Sequence, residues 1–304
     1  MIRRCHGTWL AALLLGAAGC RTRLDPLPPK TIDLGPRVYA MTTADYLRDP
    51  ALCRRAAEVG QVEAQYALGT MYREGRGTPR DAEAAGTWYR RAAEAGHVLA
   101  AYNLAVLLAE AGRGSDALPW SERAAEAGLV EAQLLAAGLY SGTHGFPADD
   151  ERAAHWLRAA ALKGHVDAQY ALGCRYRDGR GVERNFAEAR RWLEAAAETD
   201  HADAQCDFGA LYAKGLGIPR DAQKAIGWYE RSARQGNARA LHNLGALYAN
   251  GEGVERDLVK GAAYLLAAAE AGVKTARTEL EKLEPALSDE ERARARQQAA
   301  ELAP

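Results

Sequence analysis

The chain lacks an excess of charge of either sign, with 39 basic and 40 acidic residues among 304. It therefore has no overall field to attract nucleic acid or an anionic membrane, and no basic block that would track phosphates. Cysteine is scarce at five, and Cys53, Cys174 and Cys206 are all that lie beyond residue 20. An odd set of three is no disulfide framework. Catalytic signatures are missing too. None of Ser115, Ser121, Ser141, Ser232 or Ser288 is followed three residues later by lysine, and no G-x-S-x-G or H-E-x-x-H stretch occurs. Nothing can be named as a nucleophile or a general base, so the chain is expected to be non-enzymatic and to need no cofactor.

What is present begins with "MIRRCHGTWLAALLLGAAGC". Arg3 and Arg4, an apolar run from Trp9 to Ala18 and small residues after it have the layout of a secretory signal, too short for a membrane span. Residues 17–20, "AAGC", resemble a bacterial lipobox, with Ala17 where that motif usually has leucine. The resemblance implies a signal over 1–19, lipidation of Cys20, and a chain anchored in the cell envelope facing the periplasm, at the outer membrane, by its N-terminal lipid alone. Without use of the lipobox the chain would be secreted. Residues 20–44 include Pro26, Pro28, Pro29 and Pro36 and show no sustained period, which reads as an extended tether.

Beyond the tether the chain repeats. Trp88, Trp120, Trp156, Trp192 and Trp228 are spaced by 32 and then three times by 36 residues. With Glu63 as position one, six units follow: 63–98, a shortened 99–130, 131–166, 167–202, 203–238 and 239–274, preceded by a half-unit at 45–62. In the first unit Ala64, Ala67, Leu68, Met71 and Tyr72 share one helical face, the glycine-bearing "REGRGTPRD" follows, and Ala85, Trp88, Tyr89 and Ala92 share the face of a second helix. Asp81, Asp149, Asn185, Asp221 and Asp257 precede second helices as N-caps, with Ser115 in that role in the short unit. Gly60, Gly96, Gly128, Gly164, Gly236 and Gly272 end second helices, and Asp200 stands in for glycine once. Residues 275–304 form a helical cap in which "SDEE" at 288–291 opens the last helix.

The stretch "EAQYALGTMYREGRGTPRDAEAAGTWYRRAAEAG" resembles a Sel-one-like repeat (SLR), a relative of the tetratricopeptide repeat. The resemblance implies an all-α fold, a right-handed superhelical solenoid of helix-turn-helix repeats whose first helices line a concave groove. Positions one, four, eight, eleven and twelve of the first helices would face it, and among them Tyr66, Tyr102, Tyr170 and His242, with Arg73, Glu74, Arg177 and Asp178, form the partner-binding set. Tyrosine and arginine are favoured at binding hot spots. Tyr66 and Tyr170 either meet a partner or pack between units. The implied function is a scaffold holding a partner peptide or protein. An immunity lipoprotein that neutralises a type VI secretion toxin is the alternative, and a β-lactamase-like or cell-wall enzyme is a more remote one.

Two further patterns read as structural. The pairs Gly75/Gly77, Gly179/Gly181, Gly215/Gly217 and Gly251/Gly253 follow a helix, where a phosphate-binding loop would follow a strand. His97, His165 and His201 share one position, and a repeat spacing on the order of 10 Å is too wide for a common zinc ion. Cys174 and Cys206, on adjacent first helices, would have to approach within about 7 Å to pair, so free thiols in the groove are expected.

Overall fold

The computed structural model describes residues 31–33, 38–142 and 147–302. The signal at 1–19 and Cys20 lie outside these. Residues 31–40, within the stretch read as a tether, contain a short antiparallel pair, β1 (Thr31–Asp33) and β2 (Val38–Ala40), with Ile32 opposite Tyr39. Sixteen α-helices follow among the described residues, and no described helix is long and apolar enough to cross a membrane.

Two helices, α1 (Thr43–Arg48) and α2 (Pro50–Glu58), precede the repeats. The first starts earlier than the tether boundary at 44, because Thr42 and Asp45 close a capping box. The repeats are the pairs α3 (Val62–Glu74) and α4 (Ala82–Glu94), α5 (Val98–Glu110) and α6 (Gly114–Glu126), α7 (Val130–Tyr140) and α8 (Asp150–Leu162), α9 (Val166–Asp178) and α10 (Phe186–Glu198), α11 (Ala202–Lys214) and α12 (Ala222–Arg234), α13 (Ala238–Asn250) and α14 (Leu258–Glu270). The end is closed by α15 (Lys274–Leu283) and α16 (Asp289–Leu302), the latter opened by a Ser288–Glu291 capping box. Two compact units result, residues 1–159 and residues 160–304.

Five of the six repeats are closed by the same local bonds. The aspartate or asparagine N-caps at 81, 149, 185, 221 and 257 accept from backbone N–H groups of the second helix. The N–H of each cap donates back to a first-helix carbonyl, as Asp81 does to Tyr72 at 2.9 Å. Ser115 does not cap. In the short unit the loop is only Ala111–Arg113, so α6 starts at Gly114, and Arg113, stitched to Asp116 at 2.7 Å, stands at the cap. Gly75, Gly179, Gly215 and Gly251 are left-handed C-caps of first helices, as the turn reading of the glycine pairs requires. Asp200 ends α10 at φ 60°, the one described non-glycine residue with positive φ.

Packing explains the letters that "EAQYALG" at 63–69 shares with "DAQYALG" at 167–173. Ala64, Ala67 and Leu68 are buried, and a Cβ on Gly69 would lie 2.7 Å from the Tyr89 ring, so glycine lets α3 and α4 close on each other. Gly209 meets Tyr229 in the same way. Gln65, Gln133, Gln169 and Gln205 donate their side-chain amides to carbonyls near the end of the preceding second helix: Ala57, Ala125, Ala161 and Ala197. Each glutamine ties a first helix to the helix before it.

Candidate functional site

The histidines between repeats are the N-caps of first helices. Nδ1 of His97, His165 and His201 accepts from the backbone N–H of Ala100, Ala168 and Ala204 at 3.1, 3.4 and 3.1 Å. An Nδ1 that accepts leaves the proton on Nε2, which faces Glu63 from His97 at 3.4 Å and Asp167 from His201 at 3.5 Å. The same rings stack on tyrosines, His97 on Tyr66 and His201 on Tyr170, with centroids 4.4 and 4.7 Å apart. Position one, position four and the next helix cap thus form one contact, and the His201 hydrogen bond holds the Asp167 carboxyl below its usual range. No group of three or more metal-ligating side chains occurs among the described residues.

In residues 1–159 the sequence-predicted side chains lie on α3 and α5. Tyr66 is half-buried, and its hydroxyl accepts from Asn103 at 3.4 Å. Tyr102, one repeat on, is also half-buried, and its hydroxyl makes no hydrogen bond among the described residues. Burial, then the nearby Glu131 and Glu110 charges, push its phenol up, while Arg73 opposes them. Arg73 on α3 pairs with Glu110 on α5 at 3.5 Å, both partly exposed. Glu74 pairs with Arg76 at 2.6 Å. Water reaches these groups, so the ion pairs are weak and exchangeable.

In residues 160–304 the equivalent face is filled from within. Asp207 of α11, with its side chain 2% exposed, accepts from Arg177 at 2.8 Å, from the Tyr170 hydroxyl at 3.2 Å, from the Cys174 thiol at 3.7 Å, and from Arg239. Arg177 also forks onto Asp178 at 2.8 and 3.1 Å. Burial would raise the Asp207 carboxyl, but the Arg239 and Arg177 charges outweigh it and hold the group below the usual carboxylate range. One ionised carboxylate ties together α9, α11 and α13.

This network settles where three predicted groove residues go. Tyr170 is only 3% exposed, so its ring offers no face to a partner, and Arg177 and Asp178 are engaged with each other and with Asp207. Cys174 and Cys206 are not joined in a disulfide, and both are buried, not groove-facing, at 6% and 0% exposure. Burial pushes the Cys206 thiol up to about 12, and Asn243 donates to its sulfur at 3.6 Å. His242 meets Glu279 of α15 at 3.0 Å, which places it at the closing cap. Sequence reasoning missed Asp207, Arg239, Asn103 and Glu131. The available signal was Asp207 itself, a charge between Cys206 and Phe208 on a helix face otherwise buried.

The Sel1 repeat family model matches residues 62–97, 130–165, 166–201, 202–237 and 238–273. The interval it leaves between the first two holds α5 and α6. Among solved structures the chain is similar to a protective antigen present in uropathogenic Escherichia coli strains and displaying an SLR fold, with 28% identity and a TM-score of 0.65. That match covers 86% of this chain but 56% of the other, so the chain spans little more than half of that relative. It is also similar to a Sel1 repeat protein from Oxalobacter formigenes, with 32% identity, a TM-score of 0.54, and coverage of 80% and 82% of the two chains. No curated protein matches. Sel1 repeat proteins are protein-interaction scaffolds, generally non-catalytic. With five copies of that repeat over more than half its length, the chain belongs to the Sel1 repeat family.

Proposed function

We propose that the chain is an envelope-tethered interaction scaffold that holds a segment of a partner protein on the first-helix face of α3, α5 and α7. The observation that carries this reading is Tyr102. Its half-buried ring has a hydroxyl with no described hydrogen-bond partner and lies beside an Arg73–Glu110 pair that joins two repeats. A ring fixed by packing with a free polar tip is the kind of group that makes a binding hot spot at low entropic cost. The tether belongs to the same reading and rests on Arg3, Arg4, the apolar run and Cys20. Two acyl chains at about 0.8 kcal/mol per buried methylene would hold the chain on a membrane.

Crosslinking in the native envelope, followed by pull-down, tests the face. Tyr102→Ala with Arg73→Ala should lose the partner while helicity is unchanged. Capture at the wild-type level would refute the site. Labelling with radioactive palmitate tests the anchor: incorporation should vanish in Cys20→Ala, and a signal that persists there rules out Cys20 as the acceptor.

A further inference from the structure

We propose that Tyr102 is an open rung in a ladder of hydrogen bonds, and that a partner segment closes it with the side-chain carboxamide of an asparagine or glutamine. This rests on the scaffold reading above and names the group that the partner brings to Tyr102. The ladder follows the repeat register. Position four of one unit meets position five of the next unit or of the closing cap, thirty-seven residues on: the Tyr66 hydroxyl with Asn103 at 3.4 Å, the Tyr170 hydroxyl with Asp207 at 3.2 Å, the Cys206 thiol with Asn243 at 3.6 Å, and His242 with Glu279 at 3.0 Å. In each of these rungs the position-five side chain is an amide or a carboxylate.

Among the polar position-four residues, Tyr102 alone has no such neighbour. Its unit, 99–130, is four residues short, so position five of the next unit falls on Leu135, thirty-three residues on. Leu135 is 7% exposed and carries no hydrogen-bonding group on its side chain. Gln133, two residues before it, fixes this register, because its amide donates to Ala125 at 3.2 Å just as Gln65, Gln169 and Gln205 donate to Ala57, Ala161 and Ala197. Tyr102 is left with a half-buried ring and a hydroxyl that makes no hydrogen bond among the described residues. Leu134, the apolar position four, needs no rung.

The hydroxyl and its surroundings select the group that closes the rung. The phenol proton needs an acceptor, which a lysine or arginine side chain does not carry. A carboxylate carries one, but the Glu131 and Glu110 charges already act on this phenol and disfavour a third, and Arg73, which opposes them, is paired with Glu110 at 3.5 Å. A carboxamide accepts the proton, donates in return and adds no charge. It is also the group that the chain itself sets at position five in Asn103 and Asn243. Half-burial makes the selection matter, because a partner that covers Tyr102 without offering an acceptor strands the hydroxyl away from water.

Fluorine NMR of the full chain labelled with fluorotyrosine reads the rung directly, with the Tyr102 resonance assigned by its loss in Tyr102→Phe. The probes are peptides Ser-Gly-X-Gly-Ser in which X is glutamine, asparagine, glutamate, lysine or leucine. The glutamine and asparagine peptides should move the Tyr102 resonance saturably, and the other three should not. Leu135→Asn supplies a carboxamide from within the chain and should abolish the response. Asn103→Leu opens the rung at Tyr66, whose resonance should then answer the same two peptides, and this variant keeps the test decisive if Leu135→Asn does not fold. An equal shift with the glutamate, lysine or leucine peptide would overturn the inference, as would a response that survives in folded Leu135→Asn or a Tyr66 resonance that stays silent in Asn103→Leu. If no peptide moves Tyr102 while Tyr102→Ala with Arg73→Ala still loses the envelope partner, the open rung falls and the scaffold reading stands. If that partner is also captured at the wild-type level, both fail.

Discussion

The Arg177 guanidinium donates to the enclosed Asp207 carboxylate at 2.8 Å, across from one repeat to the next. Asp207→Asn removes the charge but leaves Arg177 and Arg239 in place. Breaking a buried pair from one side typically costs about 3–5 kcal/mol. Urea unfolding of residues 160–304 within the full chain should report a loss of that size, and a loss below about 1 kcal/mol would show that solvent compensates the arginines.

The same contact sets a pH dependence. Asp207 is held below the value of 3.8 it has when unfolded, so its contribution is complete above about pH 4 and is lost as pH falls through the lower folded value. Between about pH 5 and pH 2 the urea midpoint of the wild type should fall more than that of Asp207→Asn. Parallel curves would contradict the assignment.

Asp200 adopts φ 60° where its counterparts are glycine. A left-handed L-residue costs about 1–2 kcal/mol, less for Asp than for most. Asp200→Gly should therefore stabilise by about 0.5–1 kcal/mol, because Gln205 loses the Asp200 acceptor but keeps the Ala197 carbonyl at 3.2 Å. Chemical denaturation measures the sign.

One substitution should act in opposite directions at two glycines. Gly69→Ala places a methyl 2.7 Å from the Tyr89 ring and should destabilise by about 1–3 kcal/mol. Gly227→Ala, in mid-helix with nothing within 4 Å, should stabilise by up to about 1 kcal/mol. Thermal denaturation of the two variants decides between packing and helix propensity as the ruling term.

Cys53 and Cys206 are fully buried, and burial pushes their thiols up to about 11 and about 12. Neither should be alkylated by iodoacetamide at neutral pH until urea unfolds the chain. Mass spectrometry of each site gives the answer.

The repeats were legible because their signals are local. Caps such as Asp81, Asn185 and Asp221 act on N–H groups two or three residues away, and Gly75 or Gly215 ends a helix by its own backbone freedom. Ser115 was misread because helix α6 follows a loop of only three residues, and the spacing of the full-length units does not transfer to it. Tyr66, Tyr102, Arg73 and Glu74 were located by their register, which also pointed to Tyr170 and Arg177. Register could not tell a half-buried tyrosine from an enclosed one. Tyr102 and Tyr170 occupy the same position, and what separates them is Asp207, thirty-seven residues beyond Tyr170.

The chain's own letters determined the repeat, its helix ends and the all-α class, since period, capping and glycine conformations depend on neighbours in sequence. Tertiary structure decided which position-four side chains stay partly exposed. It brought one carboxylate of α11 between arginines of α9 and α13, and so satisfied the face in residues 160–304. It brought no such counter-charge to Glu131 in residues 1–159. Charge pairing depends on distance in space, and helices two repeats apart meet only after the fold has stacked them.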